Sequence, residues 1–252
     1  ETIQIKQGYR VLLVPLYPVR YDPSSGRVSY HRCITVTATL AESTSRAGDE
    51  ASRPKVRRQD EKVISDWVDN PEATSSYQGD EPLQASQDTP LSPASEAEYL
   101  IITSQSLYNV PPPNNLQTLT AYKQALGIST LITTTAWISA AYPIGDSDLQ
   151  TSIRDFIRDA YNDRTTEYVL LAGDSDPGVS LMEGVPHRAL YACVGSTCDS
   201  IPADLYYACL DGPFDYDGDG LYGEPNDGPG GGEVDLPSEV YVGRAPVATE
   251  DE

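Results

Sequence analysis

The sequence predicts an α/β fold: a doubly wound, mostly parallel sheet preceded by a β-hairpin. Three observations predict it. Tyr99-Leu100-Ile101-Ile102-Thr103 and Tyr168-Val169-Leu170-Leu171-Ala172 are short, almost wholly apolar runs, the pattern of parallel strands buried on both faces. Between them, Leu149, Ile153, Phe156, Ile157, Ala160 and Tyr161 recur at helical spacing and form one apolar stripe. Strands that alternate with helices give parallel sheets, whose ligands bind beyond the carboxyl ends of the strands.

The elements follow in order. Residues 9–20 are rich in Val and Leu, and Asp22-Pro23-Ser24-Ser25-Gly26 supplies turn chemistry. Residues 28–40 end in strict alternation, with Ile34, Val36, Ala38 and Leu40 set against Thr35, Thr37 and Thr39. This predicts a hairpin of two long strands within residues 1–41. Residues 42–97 are dominated by Ser, Glu, Asp, Ala, Pro and Gln and read as a partly disordered linker, anchored at most by Val63-Ile64 and Trp67-Val68. Arg57-Arg58 inside it is a candidate processing site, with two solvated arginines as the plainer reading. Residues 98–252 form the α/β unit. It opens with the 99–103 strand, then a helix over 116–126 with Asn115 as cap and Gly127 as stop. A strand at Leu131-Ile132 follows. Ser147-Asp148-Leu149-Gln150 reads as a capping box before the striped helix. The 168–172 strand ends at Gly173-Asp174, and short strands and loops lead to Val240-Tyr241-Val242-Gly243-Arg244.

Composition narrows the function. The formal charge of the 252 residues is −21, which argues against a nucleic-acid partner. Residues 1–62 carry a balance of +4 and the remainder −25, which suggests that the two parts meet or that the acidic part holds cations, with a merely solvated acidic surface as the plainer alternative. No apolar run approaches the ~18 residues of a membrane span. Of the four cysteines, Cys193 and Cys198 flank Val194-Gly195-Ser196-Thr197, a turn short enough for a disulfide. Free thiols are the alternative, and a zinc site is disfavoured because no CxxC is present. A disulfide there implies a secreted or cell-surface protein.

The most specific local signal is Asp215-Tyr216-Asp217-Gly218-Asp219-Gly220. Carboxylates two apart converge on one hard cation, and Gly permits the sharp turn between them. Asn226 stands where an EF-hand has its bidentate Glu, and Pro213 and Pro225 forbid the flanking helices. The reading is therefore a calcium loop outside the EF-hand fold, with further oxygens from Leu221, Glu224, Asp227 or Asp235; an acidic loop without an ion is the alternative. Two histidines, His31 and His187, are present, with no GxSxG and no HExxH, so the residues alone show no complete active site.

An ordered series of segments resembles gingipain-type cysteine peptidases, peptidase family C25. The series comprises Tyr99–Thr103, Tyr122-Lys123 with Gly127, Ile153-Arg154-Asp155-Phe156-Ile157, and the 168–174 run. It continues with Ile201-Pro202-Ala203-Asp204-Leu205-Tyr206-Tyr207, the Asp-rich loop with Tyr222-Gly223-Glu224, and Glu239-Val240-Tyr241-Val242-Gly243-Arg244-Ala245-Pro246. The resemblance implies a caspase-like fold of two α/β subdomains, of which this chain supplies the first. Residues 9–40 resemble the end of a β-rich pro-segment that holds the peptidase latent. The family's catalytic His, in Gly-His-Gly, and its nucleophilic Cys follow the segment matched by residues 240–244, so neither role falls on a residue here. Asp174 and Glu239 match positions near bound calcium. The implied partners are a protein or peptide substrate and the remaining catalytic subdomain. A non-catalytic calcium-binding surface or adhesion module on the same fold is the alternative.

Overall fold

The computed structural model describes residues 2–39, 58–76, 96–143, 148–175, 184–228, 234 and 236–248. Four strands come first: β1 (Thr2–Lys6), β2 (Tyr9–Leu13), β3 (Val19–Asp22) and β4 (Arg27–Tyr30). Helix α1 (Arg58–Trp67) and a 3-10 turn (Pro71–Ser76) precede β5 (Tyr99–Thr103). Then come α2 (Gln105–Tyr108), α3 (Leu116–Ala125), β6 (Thr130–Thr134), α4 (Thr135–Ala141), α5 (Leu149–Arg164) and β7 (Tyr168–Ala172). The chain continues through β8 (Arg188–Val194), β9 (Thr197–Ala203), α6 (Leu205–Ala208) and β10 (Tyr241–Ala245).

The centre is a four-stranded parallel sheet in the order β10-β7-β5-β6. Tyr241, Tyr168, Tyr99 and Thr130 stand level at its amino end, and Ala245, Ala172, Thr103 and Thr134 at its carboxyl end. Leu100, Ile101 and Ile102 are fully buried, as strands covered on both faces require. Helix α5 lays its predicted stripe on the sheet. Ile153, Phe156, Ile157, Ala160 and Tyr161 join Leu100, Ile102, Val169 and Leu171 in one core, with Leu149 packed at its margin. Trp137 and Tyr142 meet the Phe156 ring edge-on.

Helix ends follow local chemistry. Asn115 caps α3 through its side-chain oxygen, which accepts from Thr118 N–H (2.8 Å), and Gly127 takes a positive φ of 85° just past the helix. Asp148 caps α5, accepting from Thr151 N–H (3.0 Å). Ser147, the other half of the expected capping box, lies outside the described residues, and the Gln150 amide donates to the His187 carbonyl (3.2 Å).

The amino-terminal region departs from the expected single long hairpin. Two short antiparallel hairpins form, β1 with β2 and β3 with β4. The Asp22–Gly26 turn is where the sequence puts it: the Asp22 carboxylate accepts from Ser24 N–H and from the Ser24 and Ser25 hydroxyls. Residues 33–39 carry the alternation but form no strand. Alternation selects a face only when a neighbouring strand is there to pair with it. Within the expected linker, α1 docks on the body through buried Ile64 and through Tyr161, whose hydroxyl donates to Asp60 (3.1 Å). Arg58 opens that helix; Arg57 lies outside the described residues.

Candidate functional site

The acidic loop is built on a rigid base. Arg154 and Arg158 project from α5. Arg154 donates to the carbonyls of Cys209 (2.9 and 2.6 Å) and Gly212 (2.7 Å), and Arg158 donates to that of Leu210 (2.8 Å). These bonds satisfy buried carbonyls that no secondary structure pairs. Beside them, Tyr206 meets Phe214 and Tyr222 edge-on, and the Arg188 guanidinium lies 3.9 Å from the Tyr222 ring centroid and 4.6 Å from that of Tyr206. Arg188 is itself fixed by Asp148 through two bonds of 2.6 and 2.7 Å. Partial burial works against the Asp148 charge, but the Arg188 bonds and the Thr151 N–H hold its carboxyl below the usual range.

The loop closes on this base. Gly223 N–H donates to the Phe214 carbonyl (2.6 Å) and Tyr191 N–H to the Tyr222 carbonyl (2.6 Å). Gly223 has a φ of +87°, and a Cβ there would stand 3.2 Å from Leu190 Cβ, so the pinch requires glycine. Inside the pinch, Asp215, Asp217 and Asp219 each offer an oxygen within 4.8 Å of the others; among the described residues this is the acidic group that converges. Asp215 also accepts from the N–H groups of Gly218 (2.8 Å), Asp219 (3.1 Å) and Gly220 (3.0 Å), which turns the chain around it.

Two further carboxylates face the cluster. Desolvation, and then the charges of Asp219, Asp217, Asp227 and Asp215, raise the Glu224 carboxyl above its ordinary range. Asp227 is buried and accepts from Tyr216 N–H (2.7 Å) and Gly228 N–H (3.0 Å), tying the far side of the loop to its start. Leu221 N–H donates to Asp219 (2.8 Å). An all-oxygen set of this size and charge fits a hard cation. Asp235 lies outside the described residues.

The other expected residues are dispersed. Asp174 follows β7 at the carboxyl end of the sheet, where its carboxylate accepts from Ser175 N–H (2.6 Å). Glu239 precedes β10 at the amino end, buried, accepting from Leu210 N–H (2.8 Å) and Gln7 N–H (3.2 Å). A five-residue strand spans ~17 Å, so these two do not share one ion. Cys193 and Cys198 are directly opposed in the β8–β9 ladder and disulfide-bonded. Cys209 is a buried thiol whose sulfur donates to the Leu236 carbonyl (3.4 Å), and Cys33 is an exposed one. His31 is exposed, and His187 Nδ1 is engaged with the Ser175 carbonyl.

At the carboxyl end of the sheet a cavity of about 320 Å³ is lined by Leu107, Val110, Leu116, Leu119, Ala172 and Ala245 among others. Its described lining is free of Cys, His and carboxylate side chains. Sequence reasoning missed a polar clamp beside this end. Arg244 donates to both Asp204 oxygens (2.7 and 2.6 Å) and to the carbonyls of Gly173 (3.1 Å) and Val185 (2.7 Å). Both residues stand in the segments quoted above; their pairing, across 40 positions, leaves no local signal.

The family model of peptidase family C25 matches residues 92–252, more than half of the chain. The chain therefore belongs to peptidase family C25, a family of cysteine peptidases. No curated protein and no solved structure matches it. The matched span contains the parallel sheet, the acidic loop and the Arg244 clamp. Its described helices include none long and apolar enough to cross a membrane.

Proposed function

We propose that this chain is the end of a pro-segment plus the first catalytic subdomain of a secreted, calcium-stabilised cysteine endopeptidase, and that its reacting Cys and His lie in the following subdomain. The observation that carries this reading is the family match over the whole α/β unit. The state of the four cysteines and two histidines supports placing the reacting pair elsewhere. Two cysteines are joined to each other, one is buried on a carbonyl, and His187 is engaged by a backbone oxygen, while the exposed Cys33 and His31 lie in the amino-terminal segment outside the family match. In the complete enzyme a Cys thiolate attacks the scissile carbonyl, the amine leaves with a proton from His, and water then hydrolyses the thioester. These 252 residues contribute scaffold, the calcium loop and one wall of the cleft. Calcium bound by Asp215, Asp217 and Asp219, with Glu224 and Asp227 behind them, offsets the repulsion among five carboxylates and fixes the loop. The Cys193–Cys198 bond supports an oxidising, extracellular setting.

The test compares casein hydrolysis by residues 1–252 with that by the protein extended through the following subdomain. The reading expects activity only in the extended protein, lost when its subdomain-two Cys is changed to Ala. Hydrolysis by residues 1–252 alone contradicts it. An extended protein that binds calcium but cleaves nothing, after removal of its amino-terminal segment, favours the non-catalytic calcium-binding module.

A further inference from the structure

The cavity at the carboxyl end of the parallel sheet lies where such sheets take ligands. Strand order reverses beside β5, with β6 on one side and β7 and β10 on the other. At such a reversal the segments leaving neighbouring strands diverge and open a crevice. The cavity, of about 320 Å³, is bordered by Leu107 and Val110 from the segment after β5 and by Ala172 at the end of β7. That volume falls within the range of small-ligand sites.

Each side of the cavity is fixed. Its base is Ala172 and Ala245, which stand level in the β7–β10 ladder. Two strands with bulky interiors end here in methyl groups, and this leaves the space. The Gly173 N–H donates to the Ala245 carbonyl (3.0 Å), and Arg244 donates to the carbonyls of Gly173 (3.1 Å) and Val185 (2.7 Å), so the two strand ends are held together. The start of α3 supplies another wall, with Leu116 and Leu119. Two side-chain amides tie that wall to the preceding segment: Asn115 donates to the Val110 carbonyl (2.9 Å) and Gln117 to the Tyr108 carbonyl. An apolar concavity pinned in this way is preorganised, so an occupant binds with little further ordering of the protein.

The lining selects the occupant. Its described residues include no Lys, Arg, His, Cys, Asp or Glu. A charged group entering would lose its hydration with nothing to replace it. An apolar cavity of about 150 Å³ takes a benzene ring, so this one has room for a side chain of Leu, Met or Phe size together with part of its backbone. The Thr118 hydroxyl donates to the Asn115 side-chain oxygen (2.8 Å), which engages both, whereas the exposed Asn114 amide faces solvent and can meet a peptide group. The chain belongs to a family of cysteine peptidases, which act on polypeptides, and the cavity stands at the ligand end of its sheet.

We propose that this cavity receives a large apolar side chain of the extended peptide substrate, and that Ala172 and Ala245 set the size of side chain it admits. The source of that side chain rests on the peptidase reading above; binding of an apolar side chain by the cavity does not.

The test has two arms. In the first, methyl NMR of the 252-residue chain follows titration with acetyl-Gly-Leu-Gly-amide, with the Ala and Asp counterparts as controls. Saturable shifts are expected at Leu107, Leu116, Leu119 and Val247, with the Ala peptide bound tenfold or more weakly, as three fewer buried carbons would give, and no shift with the Asp peptide. Ala245→Leu fills the base and is expected to abolish the shifts; where it does not fold, Val247→Phe is measured and is expected to weaken binding severalfold. Leu126→Ala, on the exposed end of α3 outside the lining, is expected to bind as the parent does. In the second arm, the complete protein cleaves a peptide series with Leu, Ala or Asp at successive positions around the scissile bond. A Leu preference at one position is expected in kcat/KM, lost in Ala245→Leu while preferences at the other positions persist. Absence of shifts, or equal shifts with the Leu and Asp peptides, overturns the cavity's assignment. A Leu preference that survives Ala245→Leu overturns the substrate as its occupant. A complete protein that cleaves nothing, while the chain still binds the Leu peptide, overturns the peptidase reading and the substrate as source but leaves the apolar chemistry of the cavity standing.

Discussion

Removing the Arg244 guanidinium should cost this fold a measurable part of its stability. Arg244→Met deletes a two-pronged ion pair to Asp204 and two further bonds, to the Gly173 and Val185 carbonyls. Hydrogen bonds to charged groups are worth about 1.5–3 kcal/mol each, but the four bonds of one side chain are not additive. Removing one partner of a buried pair costs about 3–5 kcal/mol, because the other charge is stranded. The side chains here are 11% and 26% exposed, so water partly solvates the abandoned Asp204. The expected loss is about 2–4 kcal/mol, which in a domain of this size lowers Tm by roughly 5–15 °C. Arg244→Lys keeps the charge but not the fork and should recover less than half of the loss. Asp204 caps α6 without a side-chain capping bond, its carboxylate being spent on Arg244, so Asp204→Asn should act through the same pair. Scanning calorimetry of both single variants and the double variant then gives a coupling above 1 kcal/mol. Additive effects, or an Arg244→Met variant within 2 °C of the parent, would refute the reasoning.

Three further outcomes are expected. Calcium at about a hundredfold its dissociation constant should stabilise the chain by about 2.7 kcal/mol, and Asp217→Ala with Asp219→Ala should abolish the rise in Tm; an identical melt in chelator and in calcium removes the ion from the loop. Burial and the neighbouring Asp211 charge push the Glu239 carboxyl up to about 8, against an ordinary 4.5. Between those values the native state holds the extra proton, so stability falls as pH rises through that window, by at most about 1.4 kcal/mol per unit. Denaturant melts from pH 5 to 9 should show this decline, flattened in Glu239→Gln; a decline of equal slope in the variant would assign it elsewhere. Phe156→Ala removes a ring that packs on Trp137 and Tyr142 in the core and should cost about 3–5 kcal/mol by urea unfolding, whereas a loss below 1 kcal/mol would mean the stripe of α5 does not anchor the sheet.

The parallel sheet was legible because each strand is its own signal. The 99–103 and 168–172 runs are apolar without a break, and the α5 stripe names its buried face residue by residue. Asn115 and Gly127 mark the ends of α3 through chemistry confined to one turn. The acidic loop was legible for the same reason: its three aspartates are two apart. What escaped the sequence depends on distant partners. Ile34, Val36 and Ala38 alternate as a strand would, yet nothing pairs with them among the described residues. Helix α1 is rich in charge and resembles its linker surroundings; only Ile64 and Asp60 betray its docking. Gln4 reads as one polar residue of a strand until its amide is found on Val234 and Leu236. Arg188 and Arg244 each donate side-chain hydrogen bonds to groups 37 or more positions away, a separation over which composition carries no information.

The central claim, that this chain scaffolds a cysteine peptidase whose reacting groups lie outside it, is tested most directly by labelling the complete protein with a peptide carrying a thiol-reactive carbonyl electrophile. The modified residue is located by mass spectrometry of the digest. The account predicts a single modified Cys beyond residue 252, with Cys33 and Cys209 unlabelled. Modification of Cys33 or Cys209 in step with loss of activity would contradict it.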